Sequence, residues 1–538
     1  MENQFAIYEK YVDISKVYID TFRADKWVEE EKLNMVKDFF QKKNIKVSGG
    51  ITTISGKGKG EFVSFCYSKD EDRNKLRDIV TFNAKNFDES IFDDFYFTNC
   101  KCKDCVKAKG EKTWDEYRNQ LMSDVSKNIV MATAKRVNPN SRMIIKYPNW
   151  YEHYQYSGYN LEAQPDIFDM IYAGCETRDP ENTQQHLPKY LSYFIMRYLE
   201  NVKPGKNGGG WFDAIDCIYN IGSYVEQGYL TLLSKAKEMT LFSFSMLVRG
   251  EIFLAALGCE IRKLDNYLGE LGTPVGISCY KPFNSSGEDH LFDYLGMIGL
   301  PLEPTPRFEE DAKAMLLTAD AAKDPKIIDR IKARLLKGKN VVITTGLLKA
   351  LQGTGIEDLA QVSVSDRKVS VEKFGYQTLG CAFKSYIYSK KEILIPQVDY
   401  KTNDSWPVIV AFTKDNNFPI VVKSSYGDGS LFILTIPEDF AQIYNYPEEV
   451  LSQIRGILWD EVKLESESQV GLFTYDNDTF VLESFLGYNS TAKVSIKGAV
   501  KLKDIRSDEE LAGIEVNGNT VFDIGMMPTT YCVFKIVR

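Results

Sequence analysis

Short apolar runs with β-strand character alternate with amphipathic helical segments along the first 265 residues. The eight runs are 16-KVYIDTF, 46-KVSGGIT, 61-EFVSFCY, 91-IFDDFYFTN, 142-RMIIKYP, 170-MIYAGCETR, 210-GWFDAID and 239-MTLFSFS. The segment 114–137 illustrates the helices, because its apolar residues recur at helical spacing and it ends before Asn138-Pro139. Eight β/α repeats within about 250 residues are typical of a TIM barrel, whereas a doubly wound sheet does not need eight. We therefore predict an α/β fold with a (β/α)8 TIM barrel over residues 1–265.

The rest of the chain has a different pattern. Residues 266–460 read as a second α/β unit, and its closing part, 407–437, contains two turn signals, Asn416-Asn417 and Gly427-Asp428-Gly429. Residues 461–538 carry only strand-like runs and predict a small antiparallel β-sandwich domain. A chain of 538 residues is too long for one hydrophobic core. We therefore expect three domains.

Composition narrows the class of partner and the compartment. A net charge of -9 argues against nucleic acid or an anionic membrane as the main partner. The most apolar long segment, 239–259, is interrupted by Arg249 and Glu251, which is too costly for a membrane span. The N-terminus lacks a signal-peptide pattern, and the ten cysteines have no disulfide-framework spacing. These features favour the reducing cytoplasm.

Three cysteines, Cys100, Cys102 and Cys105, fall within six residues. A tight loop can bring their thiolates around one metal ion, and tetrahedral zinc needs a fourth ligand. Cys66 is the candidate, because it ends the third β-run, and the third and fourth strands of a parallel barrel end side by side. We predict a closed, structural zinc site. Free buried cysteines are the alternative, and a catalytic zinc ranks last because four thiolates leave no position for water.

Carboxylates stand where barrel strands are predicted to end, which is where TIM-barrel enzymes place their catalytic groups. They are Asp93 and Asp94 on the fourth run, Glu176 on the sixth, and Asp213 and Asp216 on the seventh. Glycoside hydrolysis needs one carboxylic acid that stays protonated and one opposing carboxylate. Burial in an apolar strand raises a carboxyl pKa, which suits Asp94 as the acid. The alternative is that an aspartate caps a helix or pairs with an arginine such as Arg178.

Residues that can read sugar hydroxyls or stack on sugar rings accompany these acids. The candidate substrate-binding residues are Asn99, Tyr147, Asn149, Trp150, Arg178 and Trp211. The aromatic loop 147–160 can instead pack against a neighbouring subunit. With three histidines and no G-x-S-x-G, P-loop or G-x-G-x-x-G context, esterase, NTPase and dinucleotide-binding functions lack support.

The chain resembles the β-galactosidases of glycoside hydrolase family 42. The resemblance rests on Cys66 and 100-CKCKDC-105, on Asp93-Asp94 in the place of the family's Asn-Glu pair, and on the segment 114-WDEYRNQL. It implies a barrel with an acid/base at Asp94 and a zinc site made by the four cysteines. It also implies a glutamine-amidotransferase-like second domain without its own chemistry, and a homo-oligomer, specifically a trimer.

The sequence also departs from that family. Asp94 replaces the usual Glu, and no Glu ends the seventh run, so either Asp213 or Glu176 opposes the acid. We expect a divergent glycoside hydrolase that removes terminal sugars from short oligosaccharides or glycosides by two-carboxylate catalysis. The second hypothesis is a catalytically decayed barrel that serves as a carbohydrate-binding or scaffold protein.

Overall fold

The computed structural model describes residues 1–56, 63–376 and 386–538. The chain forms two compact units, the first comprising residues 1–184 and 195–262 and the second residues 185–194 and 263–538. Over the described ranges, no helix is both long enough and apolar enough to cross a membrane.

The first unit is built on a sheet in which seven strands run parallel. The strands of this unit are β1 (Lys16–Arg23), β2 (Lys26–Trp27), β3 (Lys46–Ile51), β4 (Ile54–Ser55), β5 (Val63–Ser64), β6 (Glu89–Phe92), β7 (Arg142–Tyr147), β8 (Met170–Gly174), β9 (Asn207–Asp213) and β10 (Glu238–Phe242). The order across the sheet is β10-β9-β8-β7-β6-β3-β1-β2, and only the short β2 is antiparallel. β4 and β5 form a separate antiparallel pair.

Helices connect these strands and cover the sheet. They are α1 (Glu2–Tyr11), α2 (Glu30–Lys42), α3 (Asp70–Asn86), α4 (Lys103–Lys109), α5 (Trp114–Val125), α6 (Ala132–Val137), α7 (Tyr154–Ser157), α8 (Gln164–Ile167), α9 (Leu191–Val202), α10 (Ile221–Leu233), α11 (Phe244–Arg249) and α12 (Glu251–Asp265). A π-helical stretch, Ser126–Met131, joins α5 to α6. The helix predicted over 114–137 is thus confirmed, and Thr113 begins it with a capping box to Glu116.

Side chains from neighbouring strands pack against one another in the interior of the curled sheet. Ile91, Ile144, Tyr172 and Trp211 form one buried apolar cluster there. Seven of the eight predicted β-runs contribute a parallel strand to this sheet.

The run at 61–67, predicted as the third barrel strand, is the exception. Residues 61 and 62 lie outside the described ranges, and Val63–Ser64 pair antiparallel with Ile54–Ser55 rather than with the barrel. The apolar residues that follow, Phe65, Cys66 and Tyr67, are buried in a loop. These residues are apolar because they are buried within a loop, not because they pair in a strand. The prediction of a barrel strand at 61–67 was wrong.

The second unit holds a mixed sheet followed by antiparallel sheets. Its strands are β11 (Pro274–Val275), β12 (Ile277–Tyr280), β13 (Leu302–Thr305), β14 (Met315–Leu317), β15 (Val341–Thr344), β16 (Val362–Tyr376), β17 (Ile387–Tyr400), β18 (Ser405–Phe412), β19 (Asn417–Tyr426), β20 (Gly429–Leu434), β21 (Val462–Glu465), β22 (Val470–Tyr475), β23 (Thr479–Ser484), β24 (Ser490–Lys497), β25 (Lys501–Asp504), β26 (Glu510–Ala512), β27 (Ile514–Val516), β28 (Asn519–Met526) and β29 (Thr530–Val537). Its helices are α13 (Leu291–Met297), α14 (Ile327–Leu336), α15 (Thr345–Leu351) and α16 (Glu448–Leu458).

The mixed sheet has the order β13-β12-β14-β15-β20-β19-β18-β16-β17, in which the first five strands are parallel. The two predicted turns join β18 to β19 and β19 to β20. The C-terminal strands form a six-stranded sheet, β11-β22-β23-β29-β25-β26, and a four-stranded sheet, β21-β24-β28-β27. An α/β fold followed by antiparallel β structure is therefore confirmed.

Candidate active site

A buried lysine lies at the centre of the charged groups at the carboxyl end of the barrel. Lys146 is the penultimate residue of β7, and its side chain is 1% exposed. Its Nζ lies 2.7 Å from Glu176 Oε1, 3.3 Å from Asp94 Oδ2 and 3.8 Å from Asp93 Oδ1. Because a buried charge is costly unless it is paired, these carboxylates and the ammonium hold one another in place.

Four adjacent strands deliver these side chains. Asp93 and Asp94 directly follow β6, Lys146 lies in β7, Glu176 follows β8 by two residues, and Asp213 ends β9. The carboxyl ends of neighbouring parallel strands meet at one edge, so local sequence positions become one cluster in space. The structure thus places Asp93, Asp94, Glu176 and Asp213 at one end of the sheet, and their catalytic roles remain predictions.

The electrostatic environment separates the three acids around Lys146. Burial raises the pKa of Asp94 well above its usual range, and Asp93 and Glu176 add to that rise while Lys146 opposes it. Burial also raises the pKa of Glu176, again against the attraction of Lys146. For Asp93, burial is outweighed by Lys146, the Asp94 backbone N–H and Arg23, so its pKa is lowered. Asp94 is thus the acid most strongly driven to keep its proton.

Asp93 has a second cation on its other side. Arg23 Nη2 donates to Asp93 Oδ2 at 2.8 Å, and the Asp94 backbone N–H donates to Asp93 Oδ1 at 2.8 Å. Arg23 also donates to Asp20 at 2.7 Å. Asp93 therefore serves as an ionised, fixed neighbour of Asp94.

Asp213 is held by Arg178. Arg178 Nε and Nη2 donate to Asp213 Oδ1 and Oδ2, each at 3.0 Å, in the bidentate geometry that makes such pairs strong. The backbone N–H of Ile215 also donates to Asp213 Oδ1 at 3.0 Å. Pairing of an aspartate with Arg178 was the alternative to a catalytic role. Asp213 makes this salt bridge, which occupies both of its oxygens.

The predicted sugar-binding residues fall into different places. Lys146 Nζ lies 4.5 Å from the centre of the Trp211 ring, so Trp211 is under the charged cluster. Asn149 Nδ2 donates to the backbone oxygen of Glu176 at 2.6 Å and fixes that loop. Trp150 is half-buried and makes an edge contact with Phe97.

Two further candidates have contacts that do not involve the carboxylates. Tyr147 is fully buried and packs against the rings of Tyr154 and Tyr159. Asn99 is exposed and accepts a hydrogen bond from Ser64 Oγ at 2.9 Å, which ties the cysteine loop to β5. Their contacts are those of structural residues.

The four predicted metal ligands come together. The Sγ atoms of Cys66, Cys100, Cys102 and Cys105 all lie within 4.8 Å of one another. The Cys66 sulfur is 3.6 Å from that of Cys102 and 3.5 Å from that of Cys105, and the last two are 3.7 Å apart. A tetrahedron of ~2.3 Å zinc–sulfur bonds separates its sulfur atoms by about 3.8 Å, so the cluster can hold a metal ion of this kind.

Lys146 and Arg23 were not among the residues predicted from the sequence. A single lysine inside the apolar run MIIKYP was the available signal, because a charge in a buried strand requires a partner of opposite sign. Arg23 gave no such signal, since it stands at the polar end of its run beside a turn.

Comparison with family models matches each part of the chain. Residues 1–254 match a probable glycosyl hydrolase catalytic domain, residues 461–536 match a probable glycosyl hydrolase C-terminal domain, and residues 271–439 match the second domain of the uncharacterised protein SSO3021. SSO3021 of Saccharolobus solfataricus is itself 23% identical over 507 residues, which cover 85% of this chain and 82% of that protein.

Solved structures share the architecture at low identity. A β-galactosidase from Bacillus circulans sp. alkalophilus has a TM-score of 0.65 at 11% identity, and the match covers 100% of this chain and 96% of that chain. Gan42B, a GH42 β-galactosidase from G. stearothermophilus, gives 0.65 at 11% identity, with 100% and 95% covered. An α-L-fucosidase isoenzyme 2 from Paenibacillus thiaminolyticus gives 0.68 at 10% identity, also with 100% and 95% covered. The chain therefore has the fold of the GH42 β-galactosidases, as the resemblance implied, and its first 254 residues match a probable glycosyl hydrolase catalytic domain.

Proposed function

We propose that this protein is a retaining glycoside hydrolase that removes terminal sugars from short oligosaccharides or glycosides. The observation that carries the proposal is the sharing of Lys146 Nζ by Asp94 and Glu176, at 3.3 and 2.7 Å. Two oxygens bound to one nitrogen are no farther apart than the sum of these distances. That limit applies to one oxygen of each carboxyl group and is compatible with the ~5–5.5 Å between the carboxyl groups of retaining enzymes, so retention is the outcome we propose.

In this proposal Asp94 is the general acid and base. Its raised pKa keeps a proton on the carboxyl group, and that proton passes to the glycosidic oxygen as the bond to the anomeric carbon breaks. In the second half of the reaction, the Asp94 carboxylate takes a proton from a water molecule whose oxygen attacks the anomeric carbon, and the ester bond between that carbon and Glu176 breaks. The sugar then leaves with a hydroxyl group, and Asp94 is ready for another cycle.

Glu176 is the proposed nucleophile, in preference to Asp213. One oxygen of Glu176 is held by Lys146, which orients the carboxylate toward the cluster. Asp213 has both oxygens in the fork of Arg178, and freeing one would break a bidentate ion pair. Glu176 would form the ester with the anomeric carbon, and Asp213 would keep Arg178 in position to bind a sugar hydroxyl.

The metal is proposed to be zinc with a structural role. Cys66, Cys100, Cys102 and Cys105 would hold it, and it would fix the loop that follows Asp94. The four sulfur atoms use all positions of a tetrahedral ion, which supports a closed site. Metal analysis of the purified protein should find one zinc per chain, and Cys102→Ser should lower both the zinc content and the melting temperature. A wild-type protein without zinc would contradict this assignment.

Hydrolysis of a panel of nitrophenyl α- and β-glycosides tests the function. We expect turnover of one sugar, with terminal β-galactosides as the first candidates, and its loss in Asp94→Asn and Glu176→Gln. Asp213→Asn should retain measurable turnover with a raised KM. Turnover that survives both of the first two substitutions would exclude the site proposed here.

A carbohydrate-binding scaffold is the second candidate function. It is favoured by the fact that Asp93, Asp94, Glu176 and Asp213 each contact a cation, which a packed non-catalytic barrel also requires. Absence of turnover across the panel, together with calorimetric binding of a sugar that is lost in Asp94→Asn, would support this alternative.

A further inference from the structure

The barrel wall is not closed by backbone hydrogen bonds between β1 and β10. In the order of the sheet, β10 is one edge, and β1 with its short partner β2 is the other. Side chains connect the two edges near their amino ends, where Lys16 Nζ lies 2.6 Å from Glu238 Oε1. Farther along, the two strands face each other across a slot, which we name the β1–β10 slot.

Burial along the strands shows that this slot is accessible. Residues 16–19 of β1 and all of β10 are partly exposed on both faces of the strand. By contrast, every residue of β6 and of β9 is buried. A barrel strand covered by helices outside and side chains inside should be buried throughout, so the exposure of β1 and β10 marks a real gap between them.

A cavity of about 760 Å³ occupies the slot. Small-molecule sites commonly have volumes of about 300–1,000 Å³ and mostly apolar walls with a few polar groups. The apolar part of its lining includes Val17 and Ile19 of β1, Met239 and Leu241 of β10, and Phe5 and Val36 of the outer helices. Charged side chains, among them Arg23 and Glu238, also line the cavity. The apolar side chains offer no hydrogen bonds, so that part of the cavity suits an apolar group.

The cavity shares walls with the candidate active site. Asp93 and Trp211 line it. The same two residues contact the charged cluster, since Asp93 lies 3.8 Å and the Trp211 ring 4.5 Å from Lys146 Nζ. Asp94, Lys146 and Glu176 do not line the cavity, so Asp93 and Trp211 form the boundary between it and the carboxylates. A molecule with its sugar at Asp94 and Glu176 would reach the slot past these two residues.

We propose that the β1–β10 slot binds the apolar aglycone of a glycoside, so that the substrates are alkyl or aryl glycosides with an extended apolar group. The sugar would lie at the carboxylates and the aglycone between the two strands. This inference rests on the proposed glycosidase function for the position of the sugar, but the apolar site itself can be tested without turnover.

The test is calorimetric binding of two hydrolysis-resistant probes, methyl and n-octyl 1-thio-β-D-galactopyranoside, below the micellar concentration of the latter. Each buried methylene should tighten binding by about 4-fold, so burying only part of the longer chain should tighten it by about 30-fold or more. Val36→Trp should fill the slot and abolish this gain. Met35→Trp is the matched control, because Met35 is the preceding residue of the same helix, is 62% exposed and does not line the cavity.

A gain for the octyl probe that is lost in Val36→Trp and kept in Met35→Trp is the expected result. Equal affinity for the two probes, or a gain that survives Val36→Trp, would overturn the proposal. Val36→Phe and Met239→Trp, the latter from the opposite wall, serve if Val36→Trp does not fold. Nitrophenyl glycoside hydrolysis by the same preparations separates the two ideas: octyl binding without turnover contradicts the enzyme, and turnover without the octyl gain contradicts the slot.

Discussion

The two ends of the barrel carry charge clusters of opposite composition. At the carboxyl end, one cation, Lys146, is surrounded by Asp93, Asp94 and Glu176. At the amino end, one carboxylate, Glu89, accepts from Lys16 at 2.9 Å, Lys46 at 3.2 Å and Arg142 at 2.8 Å. Each cluster is centred on a nearly inaccessible group, and each has more charges of one sign than of the other.

The clusters differ in whether water can solvate the charges that are in excess. Lys46 and Arg142 are 47% and 49% exposed, so water solvates the extra cations around Glu89. Burial of Glu89 is outweighed by Lys16 and Lys46, and its pKa is lowered. At the other end the acids are at most 19% exposed, and the pKa values of Asp94 and Glu176 rise. In the proposed function, the buried acids with raised pKa values serve chemistry, whereas the Glu89 cluster serves stability.

The largest difference between the ends should appear in activity. Asp94→Asn and Glu176→Gln should each lower kcat by about 100- to 10,000-fold, because general acid and nucleophile lose their function. Glu89→Gln removes a charge of the same sign from the other end and should change kcat by less than about 3-fold. Initial rates on the best nitrophenyl glycoside provide the measurement. Equal losses of kcat at the two ends would contradict a catalytic role confined to the carboxyl end.

Removing the central cation should strongly affect stability. Lys146→Met leaves buried carboxylates without a partner and should lower the free energy of unfolding by about 3–5 kcal/mol at pH 8. The loss should be smaller at pH 5, because carboxyl groups with raised pKa values then take up protons. Urea denaturation at both pH values measures this. Lys349→Met is the control, since its ion pair with Asp366 is largely exposed and contributes little. A loss that is independent of pH would contradict the explanation.

The amino end should show a pH dependence of the same direction, but at lower pH. The lowered pKa of Glu89 means that its ion pairs stabilise the fold above the unfolded-state value of about 4.3 and lose that effect as pH falls through the folded-state value. Glu89→Gln should therefore cost about 2 kcal/mol at pH 7, and this cost should decrease as pH falls below about 4.3. Thermal unfolding of the variant and wild type over this range is the test. A cost that increases toward low pH would have the wrong sign.

The smallest expected effect is a displacement of the pH–rate profile. Lys146 opposes the rise in the pKa values of Asp94 and Glu176, so Lys146→Met should raise both further. Residual kcat/KM should then have both limbs of its pH profile shifted upward, by about one pH unit or ~1.4 kcal/mol. A basic limb that stays in place would show that Asp94 does not govern it.

Much of the fold followed from local pattern. Parallel barrel strands are buried on both faces, so the run 142–147 and its counterparts gave clear apolar signals, and the spacing between runs indicated helices. The run 61–67 misled because Phe65 and Tyr67 are as buried in their loop as strand residues are. The division at residues 265 and 460 remains a prediction.

The site was predictable only in part. The acids and the cysteines were found because strand ends and C-x-C-x-x-C spacing have direct structural meaning. Lys146 was missed, since only the three-dimensional approach of β6, β7 and β8 reveals how many carboxylates it serves. The sequence did not decide whether Glu176 or Asp213 is the nucleophile. The proposal for Glu176 depends on the ion pair between Arg178 and Asp213, which position in the chain does not reveal.

Azide rescue tests the central claim most directly, namely that Asp94 and Glu176 are the catalytic pair of a retaining glycosidase. Asp94→Ala and Glu176→Ala would be assayed on a dinitrophenyl glycoside with sodium azide, and the anomeric configuration of the glycosyl azide determined by NMR. We predict an azide product that retains the substrate's configuration for Asp94→Ala and an inverted one for Glu176→Ala. An inverted product from Asp213→Ala, with none from Glu176→Ala, would contradict this assignment.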